Sequence, residues 1–159
     1  MPAHEKARLK VCLAASAGGH LNQLLSSEDA WKEEDFFFVT TGEMVADRLS
    51  KRYNTQVHVL GESNREHPLK VFRVLLGCVR MLLKERPDVI ISTGAAHGCL
   101  LCVLGRLTGA KVVWLDSIAN VERLSLSGRI VRYFAHLFLV QWPELVARYP
   151  DVEYHGELV

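Results

Sequence analysis

Short apolar runs alternate along this chain with segments that have the periodicity of an amphipathic helix. The predicted strands cover residues 9–14, 35–40, 55–60, 88–93, 111–116, 137–141 and 152–156, and the predicted helices cover residues 20–32, 43–52, 68–86, 96–108, 127–135 and 143–148. Runs such as "DVIIS" and "KVVWL" are apolar throughout, as in parallel strands that are covered on both faces. The alternation is typical of βαβ units. It predicts an α/β fold with a Rossmann-like, doubly wound parallel sheet.

The composition fits a single globular domain over residues 1–159, with residues 1–8 expected to be flexible. The formal net charge is +1, which gives no global argument for binding nucleic acid. Cys12, Cys78, Cys99 and Cys102 all lie in apolar runs, so we expect buried, reduced thiols in a cytosolic protein. No secretory signal is evident, and no run approaches the roughly 20 apolar residues of a transmembrane helix.

The first candidate site is the stretch "SAGGHL", between the first predicted strand and the first predicted helix. Gly18 and Gly19 would let backbone N–H groups approach a phosphate at the positive end of a helix, with Ser16 as a further phosphate ligand. The spacing fits neither a P-loop nor the dinucleotide motif G-x-G-x-x-G. His20, in the first helical turn, is a candidate general base. The alternative is a tight turn in which Ser16 caps the helix.

The second candidate site is "DVIISTGAAHG", where another predicted strand meets a helix. Gly94 and His97 are predicted to bind the acceptor or its phosphate at this second anion-binding turn. They would lie at the same edge of the sheet as His20, because ligands of doubly wound folds collect at the carboxyl ends of the strands. The alternative is that Gly94 and Gly98 only permit close packing of strand and helix. Cys99 and Cys102 have the spacing of a redox or zinc pair, but they lie in an apolar helix and the sequence offers no second pair, so we expect them to be core thiols.

The third candidate site is the polar loop "DSIANVERLSLSGR" after the strand "KVVWL". Asp116 and Ser117 would stand at the carboxyl end of that strand, with Asn120 and Arg123 further along the loop. The loop would form an acceptor-binding rim, and Asp116 would be a second catalytic candidate. Each of these residues can also be ordinary polar surface.

The three stretches, together with "LFLVQWPELVARYPDVEYHGELV", resemble a known family over residues 9–159. It comprises the acceptor-side subunits of split glycosyltransferases. One member type adds the second N-acetylglucosamine to dolichyl-diphosphate in eukaryotes, and the bacterial PssD and EpsE types act in exopolysaccharide and capsule synthesis. The chain is also similar to the N-terminal half of MurG. The eukaryotic members carry an N-terminal membrane helix that this sequence lacks, which favours the bacterial type.

The resemblance implies the N-terminal half of a GT-B glycosyltransferase, which transfers a hexosyl, N-acetylhexosaminyl or glucuronosyl group from a UDP-sugar to a polyprenyl-diphosphate-linked sugar. Transfer would be inverting, without a metal or other cofactor, and would require a second Rossmann-like subunit that binds the donor. Residues 141–159 would face that partner, through the aromatic and proline residues Trp142, Pro143, Tyr149 and Tyr154. The alternative is a non-catalytic membrane anchor that activates the partner. A nucleotide-binding oxidoreductase is disfavoured by the failed glycine motif.

The predicted helix 68–86 would supply the membrane contact on the cytoplasmic face of the cell membrane. It combines a basic stripe with apolar residues over most of its circumference, which suits an anionic inner leaflet. The predicted membrane-facing residues are Lys70, Phe72, Arg73, Leu76, Arg80, Leu83 and Lys84. The alternatives are a core helix with a solvated basic edge, or a contact with the partner.

Overall fold

The computed structural model describes residues 7–61 and 68–156, so most of the start that we expected to be flexible lies outside the described residues. The strands are β1 (Lys10–Ala14), β2 (Asp35–Thr40), β3 (Val57–Val59), β4 (Val89–Ser92), β5 (Lys111–Leu115) and β6 (Leu137–Leu139). The helices are α1 (Gly19–Ser26), α2 (Glu43–Tyr53), α3 (Pro68–Glu85), α4 (Ala95–Leu107), α5 (Leu126–Val131) and α6 (Glu144–Arg148). A 3₁₀ turn at Glu28–Ala30 follows α1.

All pairings between these strands are parallel, and the order is β3-β2-β1-β4-β5-β6. This is the doubly wound arrangement, in which successive strands are added to one side of β1 up to β3 and to its other side from β4 onward. The predicted Rossmann-like α/β fold is therefore confirmed. Each of these six helices begins within one residue of its predicted start. The main differences are at two helix ends, because α1 stops at Ser26 instead of residue 32 and α5 stops at Val131 instead of residue 135.

The predicted seventh strand over residues 152–156 is wrong. Only Glu153 pairs with the sheet: its N–H donates to the Phe138 carbonyl at 2.8 Å and its carbonyl accepts from the Val140 N–H at 2.9 Å. The segment that pairs with the sheet at Glu153 ends before Gly156, which has φ +109. The first predicted helix is also shorter than expected, because the Ser27 hydroxyl donates to the Leu24 carbonyl at 2.7 Å where α1 ends.

The sheet separates two apolar cores. Helices α3, α4 and α5 cover one face, where Cys78, Leu101 and Val131 pack on Ile90 and Trp114. On the other face, α1, α2 and Trp31 pack on strands β1 and β2, through residues that include Leu21, Leu24, Leu49, Leu13 and Phe38. Strands β1 and β2 are thus covered on both sides, as is typical of parallel strands.

The four cysteines are buried free thiols, as predicted. Burial raises the pKa of Cys78 to about 12 and raises the pKa values of Cys12, Cys99 and Cys102 as well. Because the thiolate is the reactive form, these side chains behave as small apolar residues of the core.

Candidate functional site

The candidate site lies at the carboxyl ends of β1 and β4, the two neighbouring strands at which the sheet reverses its order. Helix α1 follows β1 and helix α4 follows β4, so both helix N-termini face this edge. The first backbone N–H groups of a helix have no partner within the helix and carry the positive end of its dipole. The topology therefore brings two anion-attracting helix ends together, as the sequence predicted.

The turn before α1 is open toward solvent. Gly18 is the residue before the helix, with φ +103, and a side chain added at Gly18 or Gly19 would meet no atom within 4 Å. A ligand can therefore approach the backbone closely at these two glycines. Ser16 lies at the start of the turn and is half-buried, but no side-chain hydrogen bond caps α1, so the alternative in which Ser16 caps the helix is wrong.

His20 lies directly against the turn before α4. A Cβ atom placed on Gly94 would lie 2.6 Å from Nδ1 and 2.9 Å from Nε2 of His20, so only glycine leaves room for the imidazole ring. The Thr93 hydroxyl fixes the same contact by donating to the His20 carbonyl at 2.6 Å. Gly94 has φ +148 and precedes Ala95, which also has a positive φ of 67°. The structure thus brings His20 and Gly94 together, as predicted, and adds Thr93 to the site.

His97 does not line the open part of the site, contrary to its predicted role as a phosphate or acceptor ligand. Its side chain is only 3% exposed, in the first turn of α4. Burial lowers the pKa of His97 to about 4, a hydrogen bond to the backbone of Ala15 opposes that change, and the charge of nearby His20 adds to it. His97 is therefore a neutral, buried neighbour of His20.

Asp116 holds its loop in place and is not available as a catalytic base, which corrects its predicted role. The residue is 1% exposed. Its Oδ1 accepts from Trp114 Nε1 at 3.1 Å and from the Ser125 hydroxyl at 2.7 Å. Its Oδ2 accepts from Asn120 Nδ2 at 3.2 Å and from the Ser125 N–H at 3.1 Å. A general base must reach the proton that it removes, and this carboxylate is enclosed by four donors.

The loop after β5 nevertheless lies beside α1. Gln23, buried on α1, donates through Nε2 to the backbone carbonyl of Asp116 at 2.8 Å. Ser117 is half-buried, and its hydroxyl accepts from the Ala119 N–H at 3.3 Å within the loop. Arg123 is exposed. Of the predicted rim residues, Ser117 and Arg123 remain candidates for ligand contact, whereas Asn120 supports Asp116. Gln23 was not predicted as a site residue, because its only signal in the sequence is a polar residue on the apolar face of α1.

Helix α3 buries one face and exposes the other. Val74, Cys78, Met81 and Leu82 pack in the core. The exposed face carries four large apolar side chains, Leu69 (76% exposed), Phe72 (57%), Leu76 (38%) and Leu83 (62%), beside the exposed cations Lys70, Arg73, Arg80 and Lys84. At 100° per residue the apolar group spans about 60° and the basic group the adjoining ~80°. No helix in the described ranges 7–61 and 68–156 has the length and hydropathy to cross a bilayer.

The aromatic residues of the C-terminal segment pack largely against the chain's own core. This corrects the prediction that these side chains are available to contact a partner subunit. Trp142, Tyr149 and Tyr154 are partly buried and pack against the core. Trp142 Nε1 also donates to the Ile118 carbonyl at 2.7 Å. Pro143 is exposed just before α6. Contact with a partner would therefore use the edges of these rings rather than whole side chains.

An apolar groove of about 570 Å³ runs along the sheet face that carries α1. Strands β4 to β6 extend past α1 and α2 on this face, which leaves Val89, Val113 and Leu139 half-buried in the groove wall. Gln141 and His155, from the segment predicted to face the partner, also line the groove. This face of the sheet offers a continuous apolar surface beside the C-terminal segment.

These features define a Rossmann-like domain of the kind found in GT-B glycosyltransferases and UDP-sugar epimerases. The fold superposes on Acinetobacter baumannii MurG with a TM-score of 0.68 at 15% identity, over 94% of this chain and 44% of that chain. It superposes on a Rickettsia bellii UDP-N-acetylglucosamine 2-epimerase with a TM-score of 0.69 at 14% identity, over 95% and 45% of the two chains. At sequence identities this low, the similarity shows a shared fold and nothing further.

The profile of the family described as "Oligosaccharide biosynthesis protein Alg14 like" matches residues 12–158, and the chain belongs to this family. The UDP-N-acetylglucosamine transferase subunit ALG14 of Yarrowia lipolytica is 41% identical over 87 residues, which cover 51% of this chain and 40% of that protein. The human subunit of the same name is 26% identical over 180 residues, covering 95% and 83%. The chain thus aligns with less than half of the Yarrowia protein and with most of the human one.

Proposed function

We propose that the chain is the acceptor-side subunit of a membrane-associated glycosyltransferase, active only with a second Rossmann-like subunit that binds the UDP-sugar. Membership of the Alg14-like family and the subunit names of its relatives support this proposal. The observation that carries the catalytic part is the placement of His20 between two glycine turns, each at the N-terminus of a helix.

The chemistry would divide between the two subunits. The N–H groups at the starts of α1 and α4 bind the diphosphate or a sugar of the acceptor, because these helix ends attract anions. His20 removes the proton from the attacking hydroxyl of the acceptor sugar, in the role of general base. That oxygen displaces UDP from the anomeric carbon with inversion. The proposed mechanism uses no metal ion.

The acceptor would be a polyprenyl-diphosphate-linked sugar in the cytoplasmic leaflet of the membrane. The exposed face of α3 supports this, since its apolar half can enter the interface while its cations attract anionic headgroups. The protein would then be peripherally bound at the cytoplasmic face of the cell membrane. The donor-binding partner would dock along the apolar groove and the adjoining residues from Gln141 onward.

Two biosynthetic settings use this chemistry. The named relatives above are subunits of eukaryotic UDP-N-acetylglucosamine transferases, which favours N-acetylglucosamine as the sugar transferred. The bacterial PssD and EpsE type, in exopolysaccharide or capsule synthesis, stays a prediction from the sequence resemblance. Both settings share a polyprenyl-diphosphate acceptor, so a panel of UDP-sugars assayed on one such acceptor distinguishes them.

The test is a transfer assay with the purified chain, alone and together with a Rossmann-like partner encoded by a neighbouring reading frame. The chain alone should transfer nothing, and the complex should be active. His20→Ala should then slow the complex by at least about a hundredfold, the lower end of what general-base catalysis contributes. Asn22→Ala, an exposed change on the same helix, is the matched control and should leave the rate unchanged.

Two outcomes would contradict the proposal in different ways. Turnover by the single chain would refute the split enzyme. A His20→Ala complex that transfers as fast as the Asn22→Ala complex would assign the base to the partner and favour the alternative, a non-catalytic membrane anchor that activates the partner.

A further inference from the structure

Two imidazole nitrogens at the candidate site are buried without a hydrogen-bond partner among the described residues. They are Nδ1 of His20 and Nε2 of His97. An unpaired buried polar atom is costly, so such atoms are normally satisfied by protein or by ordered water. The His20 ring packs against Gly94, and His97 lies three residues after Gly94 in the first turn of α4, so both rings belong to the same turn of the site. The charge of His20 accordingly lowers the pKa of His97.

The hydrogen bonds of His97 fix which of its nitrogens carries the proton. His97 makes a hydrogen bond to the backbone of Ala15 that favours its protonated form, so the partner is the Ala15 carbonyl and the ring donates. Because Nε2 has no partner, the donor is Nδ1–H. Burial keeps the ring neutral, and a neutral imidazole protonated on Nδ1 has a lone pair on Nε2. His97 therefore presents a buried acceptor beside His20.

We propose that His97 is a positioning residue that accepts a hydrogen bond from Nδ1–H of His20 through one bridging water molecule. This contact pairs both buried nitrogens and holds His20 in the tautomer whose lone pair is on Nε2. Gly94 makes the arrangement sterically feasible, because the His20 ring occupies the space that a side chain would take. His20 thus donates toward Nε2 of His97, and Nδ1–H of His97 donates to the carbonyl of Ala15.

The consequence for transfer rests on the proposed function. Nε2 of His20 takes the proton of the acceptor hydroxyl as the hydroxyl oxygen forms its bond to the anomeric carbon. The bond from that carbon to UDP breaks, and UDP leaves with the electron pair. The imidazolium that forms on His20 still donates from Nδ1 toward the neutral His97 through the bridging water, so the contact survives the proton transfer. In the other tautomer, Nε2 would carry a hydrogen and could not act as a base.

The tautomer is measured directly on the isolated chain by ¹⁵N NMR of the histidine rings, which needs neither partner nor substrate. Wild-type His20 should carry its proton on Nδ1. His97→Leu removes the acceptor and should shift His20 toward the Nε2–H form, whereas His97→Gln supplies an amide oxygen near the position of Nε2 and should restore the wild-type tautomer. A wild-type His20 protonated on Nε2 would overturn the inference, and so would a His97→Leu spectrum with an unchanged His20. If His97→Leu fails to fold, the wild-type and His97→Gln spectra still decide.

The same variants in the active complex separate this inference from the proposed function. His97→Leu should lower kcat by at least about tenfold with little change in KM, since loss of the correct histidine tautomer is costly in comparable dyads. His97→Gln should recover most of that loss. A slow His20→Ala complex with a normal His97→Leu complex would refute only the positioning role. A normal His20→Ala complex would refute the proposed base, whichever tautomer His20 adopts.

Discussion

Gly94→Ala adds a single methyl group at a position where the fold leaves no room for it. The new Cβ would lie 2.6 Å from Nδ1 of His20, well inside normal van der Waals contact. Gly94 also has φ 148° and ψ −164°, a backbone conformation that costs other residues on the order of 1–3 kcal/mol. The substitution therefore strains the backbone and displaces the imidazole ring at the same time.

The two effects should have different readouts. Because His20 is half-exposed, its ring can turn outward, so the free energy of unfolding should fall by the backbone strain of about 1–3 kcal/mol and little more. Transfer by the complex should fall by at least about a hundredfold, because the displaced ring no longer meets the acceptor hydroxyl.

Gly109→Ala is the matched control for backbone strain. Gly109 has φ +97, an added Cβ there meets nothing within 4 Å, and the residue lies between α4 and β5, away from the site. Urea unfolding should show a comparable loss of stability in both variants, while transfer and the His20 ring resonances should change only in Gly94→Ala. Equal transfer rates in the two variants would refute the steric argument.

Three further predictions concern α3, the core and the loop after β5. Arg73→Glu combined with Arg80→Glu should lower binding to anionic vesicles by at least about tenfold in a flotation assay, since each cation near such a surface contributes about 1 kcal/mol. Glu85→Gln should lower the free energy of unfolding at neutral pH by about 1–3 kcal/mol, because the hydrogen bond from Lys10 lowers the pKa of Glu85. That contribution is present above the pKa of the unfolded chain and is lost as the pH falls through the lowered folded value, so the variant and the wild type should converge in acid. Asp116→Asn should cost about 1–3 kcal/mol in urea unfolding, because the amide turns a donor toward other donors.

Exposed residues of α2 provide the controls. Arg48→Glu with Lys51→Glu makes the same change in net charge on another surface and should leave vesicle binding nearly intact. Asp47→Asn breaks an exposed ion pair with Lys51 and should cost less than about 1 kcal/mol, in contrast to the two buried carboxylates. Vesicle binding that falls equally with both charge reversals would point to net charge rather than to α3. Unfolding curves of Glu85→Gln or Asp116→Asn that match Asp47→Asn would show that the buried contacts add no stability.

The sequence was sufficient to predict the fold because its strands are apolar runs that alternate with segments of helical periodicity, with glycine at several strand-to-helix turns. It also identified the residues that reach the carboxyl edge of the sheet, since the chain position of a turn after a strand fixes that edge. The sequence did not predict which side chains at this edge of the sheet are exposed and which are enclosed. Asp116 is enclosed because Ser125, nine residues later, folds back onto it, and local patterns do not encode that return.

The contact between His20 and Gly94 likewise joins residues that are far apart in the chain. It depends on the register between β1 and β4, in which Ala14 lies opposite Ser92. A histidine near a glycine pair is visible in the sequence, whereas the packing of one turn on the other is not. The unformed seventh strand has a similar origin, because β6 is only three residues long and offers Glu153 few pairing sites.

The buried thiols give this protein native reporters of local opening. Cys78 lies on the core side of α3, whereas Cys99 and Cys102 lie on α4 and Cys12 lies in the central strand. An alkylating reagent reacts with the thiolate, so each cysteine is modified only when its own element separates from the core and the thiol meets water. Mapping which cysteine is labelled first, with and without lipid vesicles, would therefore show whether α3 loosens or tightens when the protein meets a membrane, without introducing any label site into the chain.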